Sequence, residues 1–131
     1  EYINSNNGGN SGSGEDSGVS VNSYNSDLYS EYRTKYPSWG NPETLNEHYD
    51  EHAYGVGCFG LDDYVNSANQ MYQNMEYYQY KIDDNGVIRV YDPINNIFGS
   101  YNPDGTTRTY FSPSDGQLYF DSQPGVLYEP Y

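Results

Sequence analysis

The feature that most constrains the fold is a change in the period of the apolar residues near residue 76. Upstream they recur every three or four residues, at Leu61, Tyr64, Val65, Ala68, Tyr72 and Met75. This spacing predicts an amphipathic helix from about Leu61 to Met75. Downstream the period is two, and strands are predicted in YYQYKI, VIRVY, IFGSY and TTRTYF, with tight turns at DDNG and PDG. A fifth short strand is expected at QLYF.

Two shorter helices are predicted before this one. The first is short and ends before Pro37, because apolar residues have helical spacing at Leu28, Tyr29, Tyr32 and Tyr36. The second covers NPETLNEHYDEHAY, where Asn41 can cap the helix, Pro42 suits its first turn and Gly55 and Gly57 end it. We therefore expect an α+β domain of two to three N-terminal helices packed on one face of a four- to five-stranded antiparallel meander.

The first 23 residues differ in composition from the rest of the chain. Residues 1–23 are rich in Gly, Ser and Asn and have almost no apolar side chains to bury, which is typical of a flexible linker. The chain of 131 residues is long enough for one ordinary domain. We predict a disordered linker over 1–23 and a single folded domain over 24–131, carried on a larger exported polypeptide.

Composition indicates an unusual core and an unusual surface. The chain has 18 tyrosines and few aliphatic residues, so tyrosine is expected to build the core. Its net charge of −14 repels phosphate backbones, and fits a basic partner, a cation or an exported protein whose acidity has no specific target.

Cys58 is the only cysteine, so no intramolecular disulfide is possible, and it is expected to be a small buried residue. No apolar run approaches the ~18 residues of a membrane span, and the N-terminus lacks a signal segment, so we expect a soluble protein.

Both histidines lie in the second predicted helix, four residues apart, so their side chains share one helical face. One interpretation is a metal site, because His48, Glu51 and His52 form an H-x-x-E-H motif. The third ligand would then be Cys58, Asp62 or Asp63.

A second interpretation is metal-free acid and base catalysis, because an imidazole exchanges protons near neutral pH. The RTYF strand offers partners for it: Arg108 and Tyr110 on one face and Thr109 on the other. A third interpretation is structural, in which the two histidines and Tyr49 pack against the aromatic sheet.

The order of motifs resembles a protein family. The helix around His52 with its glycine turn, followed by GVIRVYDPINNIFGSYNPDGTTRTYFSP, resembles the C-terminal ribonuclease modules of bacterial polymorphic and contact-dependent inhibition toxins. These belong to the barnase, EndoU, colicin and RelE-like group. The resemblance covers about 41–120, and the matching residues are His48, Tyr49, His52, Gly57, Tyr64, Ala68, Gly105, Arg108, Thr109, Phe111 and Pro113.

The resemblance implies a secreted or cell-surface bacterial domain that cleaves RNA, such as tRNA, without a cofactor. It makes His52 the leading catalytic candidate, with His48, Arg108 and Thr109 in support, and it implies a monomer that a cognate immunity protein inhibits. The alternative is a non-catalytic binding module on the same fold. An open cleft holding the histidines beside Arg108 or Thr109 favours the nuclease, whereas buried histidines favour the binding module.

Overall fold

A computed structural model describes residues 19–129 of the chain. The helices are α1 (Val19–Lys35), α2 (Leu45–His52), α3 (Leu61–Gln73) and α4 (Gln117–Asp121). The strands are β1 (Gln79–Ile82), β2 (Ile88–Asp92), β3 (Ile97–Tyr101), β4 (Thr107–Phe111) and β5 (Val126–Tyr128).

The strands form one antiparallel sheet in the order β4-β3-β2-β1-β5. Strands β1 to β4 follow one another as a meander, and β5 returns to pair with β1. The α+β class and the antiparallel meander predicted from the period change are confirmed. Each of the first four strands begins and ends within about two residues of its predicted segment.

The second predicted helix has a 3₁₀ turn at each end. At its start the Asn41 side chain accepts a hydrogen bond of 3.0 Å from the backbone N–H of Glu43, in a turn of 3₁₀ helix over Pro42–Thr44. After α2, a second such turn ends at Gly57, whose φ of 80° is left-handed and accessible to glycine without strain. The predicted cap and glycine stop are thus confirmed, and both histidines lie on α2.

Tyrosines build the core, as predicted. The buried tyrosines include Tyr64, Tyr101 and Tyr110, and their hydroxyl groups all have partners. Tyr64 donates to the carbonyl of Tyr110 at 2.6 Å, and Tyr101 donates to the carbonyl of Ala68 at 2.7 Å. Because the hydroxyl of each of these three tyrosines is hydrogen-bonded, their large rings are buried without an unpaired polar atom. These bonds join α3 to one face of the sheet.

The prediction of a strand at QLYF is wrong, because this segment forms helix α4 and the fifth strand is Val126–Tyr128. A strand would point neighbouring side chains to opposite faces, whereas the helix lets Tyr119 and Phe120 both contact Phe98 and leaves Leu118 exposed. Lys81 Nζ, 2.8–3.0 Å from the carbonyls of Phe120, Asp121 and Gln123, stabilises the end of this helix.

Two further details differ from the prediction. The helices do not all lie on one face, since α3 bonds to Tyr101 and Tyr110 on one side and the Phe120 ring of α4 stacks on Tyr91 on the other. Helix α1 begins at Val19, inside the predicted linker, and ends at Lys35, before Pro37 as expected. The disorder predicted for 1–18 lies outside the described residues. Over 19–129, no helix is both long and apolar enough to cross a membrane.

Candidate functional site

Two parallel rows of side chains cross the sheet face that is opposite α3. The register places Lys81 beside Arg89, Arg89 beside Ser100 and Ser100 beside Thr109; we call these four residues the polar row. The register also aligns four residues that lie two positions away on each strand and therefore on the same face. We call them the aromatic row, because three of the four are aromatic: Gln79, Tyr91, Phe98 and Phe111.

Helix α2 adds one histidine to each row. His48 Nδ1 lies 3.2 Å from Thr109 Oγ1, and the His52 ring lies 5.1 Å from the ring of Phe111 between centroids. The spacing of the two histidines along α2 matches the spacing of the two rows along β4. Four helical residues advance about 6 Å, and two strand residues advance about 6.6 Å. The two histidines, predicted to act as a pair, therefore have different surroundings.

His48, Arg108 and Thr109 line a cavity of about 310 Å³. The cavity lies between the start of α2 and the edge strand β4, and its remaining lining residues are Gly40, Asn41, Thr44, Asn102 and Thr107. Three of the four residues predicted as catalytic thus meet at one cavity. The fourth, His52, is one helical turn away, with its ring centroid 5.7 Å from that of His48.

A β-bulge explains how Arg108 reaches this cavity. Thr109 pairs with Ser100 and Thr107 pairs with Tyr101, so Arg108 is an extra residue in β4. In a regular strand Arg108 and Thr109 would point to opposite faces, as the sequence predicts. The bulge disrupts this alternation, and bulges commonly re-aim side chains beside functional sites. Arg108 and Thr109 consequently line the same cavity.

Burial controls the protonation of both histidines. His48 is 5% exposed, and this burial, together with the nearby His52, lowers the pKa of His48 to about 4. Burial also lowers the pKa of His52, while the charge of Glu47 acts in the opposite direction. At neutral pH the His48 imidazole is therefore uncharged, and burial makes it a weaker base than a free imidazole. The partner of Nδ1 is Thr109, so Nε2 is the basic nitrogen when Nδ1 carries the proton.

The polar row contains two cations that the sequence interpretation did not single out as site residues. Lys81 and Arg89 are both buried, and they are direct neighbours across β1 and β2. Arg89 donates to Asp83 at 2.8 Å. The sequence did contain the signal: a hairpin that turns at DDNG aligns YKI with IRV, so that the two cations face each other.

The geometry gives little support to the metal interpretation. Within 19–129, no group of three His, Cys, Asp or Glu side chains is placed to hold a metal ion. Two proposed third ligands have other contacts: Asp62 accepts a hydrogen bond from the Tyr36 hydroxyl, and the buried Cys58 thiol lies 4.0 Å from the carbonyl of Val56. Burial also raises the pKa of this thiol, which disfavours the thiolate that binds metals.

Comparison with known proteins does not assign the chain to a family. No family model matches it, and no curated protein matches it significantly. The candidate site therefore rests on its own geometry.

Proposed function

We propose that this protein is a metal-independent endoribonuclease whose chemistry takes place in the cavity beside His48. One observation carries the proposal: His48 Nδ1 lies 3.2 Å from Thr109 Oγ1 at the wall of a cavity that Arg108 also lines. A base and a permanent cation both assist phosphodiester cleavage by a neighbouring hydroxyl, and the Thr109 hydroxyl can orient the base. The motif order that resembles toxin ribonucleases supports the same activity.

The roles follow from the chemistry of each group. His48 accepts the proton of the ribose 2′-hydroxyl, and the 2′-oxygen attacks phosphorus as the bond from phosphorus to the 5′-oxygen breaks. The protonated His48 then returns the proton, through water, to the leaving 5′-oxygen. Thr109 fixes the orientation of the imidazole through Nδ1. Arg108 stabilises the negative charge on the phosphate oxygens. The products are a 2′,3′-cyclic phosphate and a free 5′-hydroxyl.

This assignment reverses the order of the two histidines expected from the family resemblance. His52 does not line the cavity, and its ring packs against that of Phe111. A histidine that contacts an aromatic ring and the Glu51 carboxylate at 3.7 Å stabilises the position of α2. We therefore propose that His48 is the catalytic histidine and that His52 supports it by packing.

The acidic charge restricts which RNA can be a substrate. With a net charge of −14, the protein repels generic RNA, whose binding to proteins depends on neutralised phosphates. We propose that productive binding requires a folded RNA such as tRNA, or a basic helper protein that offsets the repulsion.

A second candidate function is a non-catalytic binding module on the same fold. The specific observation in its favour is the burial of His48, which is 5% exposed. Its ring centroid lies 5.4 Å from that of Trp39. Packing alone can hold a buried histidine in place. In this case the cavity would bind a ligand and cleave nothing.

Incubation of the protein with total RNA and with tRNA, in EDTA and at physiological ionic strength, which screens the charge repulsion, separates the two candidates. We expect cleavage that leaves 2′,3′-cyclic phosphates and that EDTA does not inhibit. His48→Ala should slow cleavage by roughly 10²-fold or more, as the loss of a proton-transfer group usually does. If both RNAs stay intact with wild type, with and without basic helper proteins, the nuclease proposal fails and the binding module replaces it.

A further inference from the structure

Two adjoining cavities form a groove that is separate from the candidate catalytic site. Their volumes are about 360 and 190 Å³, and they share the lining residues Tyr78, Asp92 and Asn95. Neither cavity shares a lining residue with the cavity at His48. The groove lies where α3 and β1 meet the turn after β2, and its combined size is in the ~300–1,000 Å³ range of small-molecule sites.

The groove is lined by tyrosines, primary amides and carboxylates, together with Ser67 and the apolar residues Met71, Pro93, Ile94 and Ile97. The tyrosines are Tyr77, Tyr78 and Tyr110, and the amides are Gln70, Asn74, Gln79 and Asn95. None of the described residues that line either cavity is Lys, Arg or His. The groove therefore offers no cation to a phosphate or carboxylate ligand, and it is rich in groups that both donate and accept hydrogen bonds.

Asp92 lines both cavities of the groove, and its carboxylate is held by hydrogen bonds within the turn after β2. It accepts hydrogen bonds from the backbone N–H groups of Ile94 and Asn95 and from the Asn95 side-chain amide, at 2.9–3.2 Å. These three donors satisfy most of the acceptor capacity of a carboxylate whose residue is 6% exposed. The oxygens of Asp92 are therefore engaged within the turn, although the carboxylate keeps its charge, and Glu129 adds a second carboxylate to the lining of the larger cavity. Because a cation is thus the main competing class of ligand, the test below includes cationic probes.

The rim of the groove is apolar and exposed. Tyr77 is 76% and Ile94 is 91% exposed, and both line the larger cavity. Large apolar side chains held in solvent at the mouth of a polar cavity are typical of binding sites. An exposed tyrosine ring offers a flat surface to the C–H face of a sugar, while amides below it can exchange hydrogen bonds with ring hydroxyls.

We propose that this groove is a binding site for a neutral saccharide. The ligand stacks on Tyr77 and hydrogen-bonds to the amides of Asn74 and Asn95. This site is independent of the ribonuclease proposal, because it shares no residue with the His48 cavity.

Titration of the full chain with neutral disaccharides, namely maltose, lactose and cellobiose, followed by ¹H–¹⁵N NMR, tests this proposal. We expect at least one sugar to cause saturable shifts at Tyr78, Asn95 and the Asn74 side-chain amide. Tyr77→Ala and Asn95→Ala should each weaken its binding by roughly tenfold, the effect of one lost polar or stacking contact. Tyr54→Ala is the matched control, since Tyr54 is 83% exposed and lines neither cavity.

Thermal unfolding identifies any variant that fails to fold, and Tyr77→Ala is the safer one because its side chain lies largely in solvent. The proposal is overturned if no disaccharide shifts the groove resonances. It is also overturned if arginine methyl ester or choline binds there and the sugars do not, since the groove would then be a cation site. Sugar shifts confined to the His48 cavity, or binding that both variants leave unchanged, contradict it as well.

Discussion

The polar row and the aromatic row lie side by side on one sheet face, but they differ in what closes them. Both rows use the same four strands at positions two residues apart. Helix α4 closes the aromatic row, where Tyr119 and Phe120 contact Phe98 and where Phe120 stacks on Tyr91. The polar row contacts α4 only through Lys81, which binds carbonyls at the end of that helix. The other end of the polar row is at His48 and the cavity beside it. The aromatic packing and the proposed catalytic residues are thus two residues apart on β4.

The two histidines of α2 follow the same division. His52 joins the aromatic row by contacting Phe111, and His48 joins the polar row by contacting Thr109. Aromatic contacts stabilise a fold wherever they are buried, whereas buried polar groups must be hydrogen-bonded or they destabilise it. In the polar row, Lys81 and Arg89 have structural partners in the carbonyls at the end of α4 and in Asp83, whereas His48 and Thr109 lie at a cavity.

The largest expected effect on stability comes from breaking the aromatic row at its centre. Phe98 is fully buried, at 0% exposed, and contacts Phe111, Tyr119 and Phe120. Phe98→Ala should lower the free energy of unfolding by about 3–5 kcal/mol, the usual result of emptying a buried aromatic site. Chemical denaturation measures this loss, and a loss below about 1 kcal/mol would show that α4 does not depend on this row.

The next effect concerns the pH dependence of stability. The folded pKa of His48 is lowered from 6.5 to about 4, so the unfolded state binds more protons between these values and acid favours unfolding. This single group should reduce the free energy of unfolding by about 2 kcal/mol between pH 7.5 and 5. Denaturation of wild type and His48→Asn at both pH values isolates the effect. Equal pH dependence in the two proteins would contradict the burial of His48.

The smallest effect is expected in the middle of the polar row. Ser100 is 0% exposed, and its Oγ has no hydrogen-bond partner within the part of the chain that the structure describes. Removing an unsatisfied buried hydroxyl is nearly neutral or stabilising. Ser100→Ala should therefore change the free energy of unfolding by less than about 0.5 kcal/mol. A loss above about 1.5 kcal/mol would mean that this hydroxyl is engaged in folding.

The sequence predicted those features that depend on local periodicity. The stripe from Leu61 gave the bounds of α3 to within two residues at its end, and period two gave four of the five strands. QLYF was misassigned because its length and composition suit a strand equally well, and only the contacts of Tyr119 and Phe120 with the sheet determine that it is helical.

The candidate site was predictable in its residues and not in its geometry. His48, Arg108 and Thr109 were identified from residue types, but the bulge that brings Arg108 into the cavity comes from strand register, which period alone does not encode. The separation of His48 from His52 has the same origin, because it depends on which residue of β4 each imidazole meets.

The central claim is that the polar row holds the catalytic residues, whereas the aromatic row only stabilises the fold. RNA cleavage rates of four variants, normalised to the amount of folded protein, test it most directly. In the polar row, His48→Ala and Thr109→Val should slow cleavage by roughly 10²-fold and at least tenfold, respectively. In the aromatic row, His52→Ala and Phe111→Leu should reduce the rate per folded molecule by less than about tenfold, because they change only packing. A larger loss with His52→Ala than with His48→Ala would contradict the account and restore His52 as the catalytic residue.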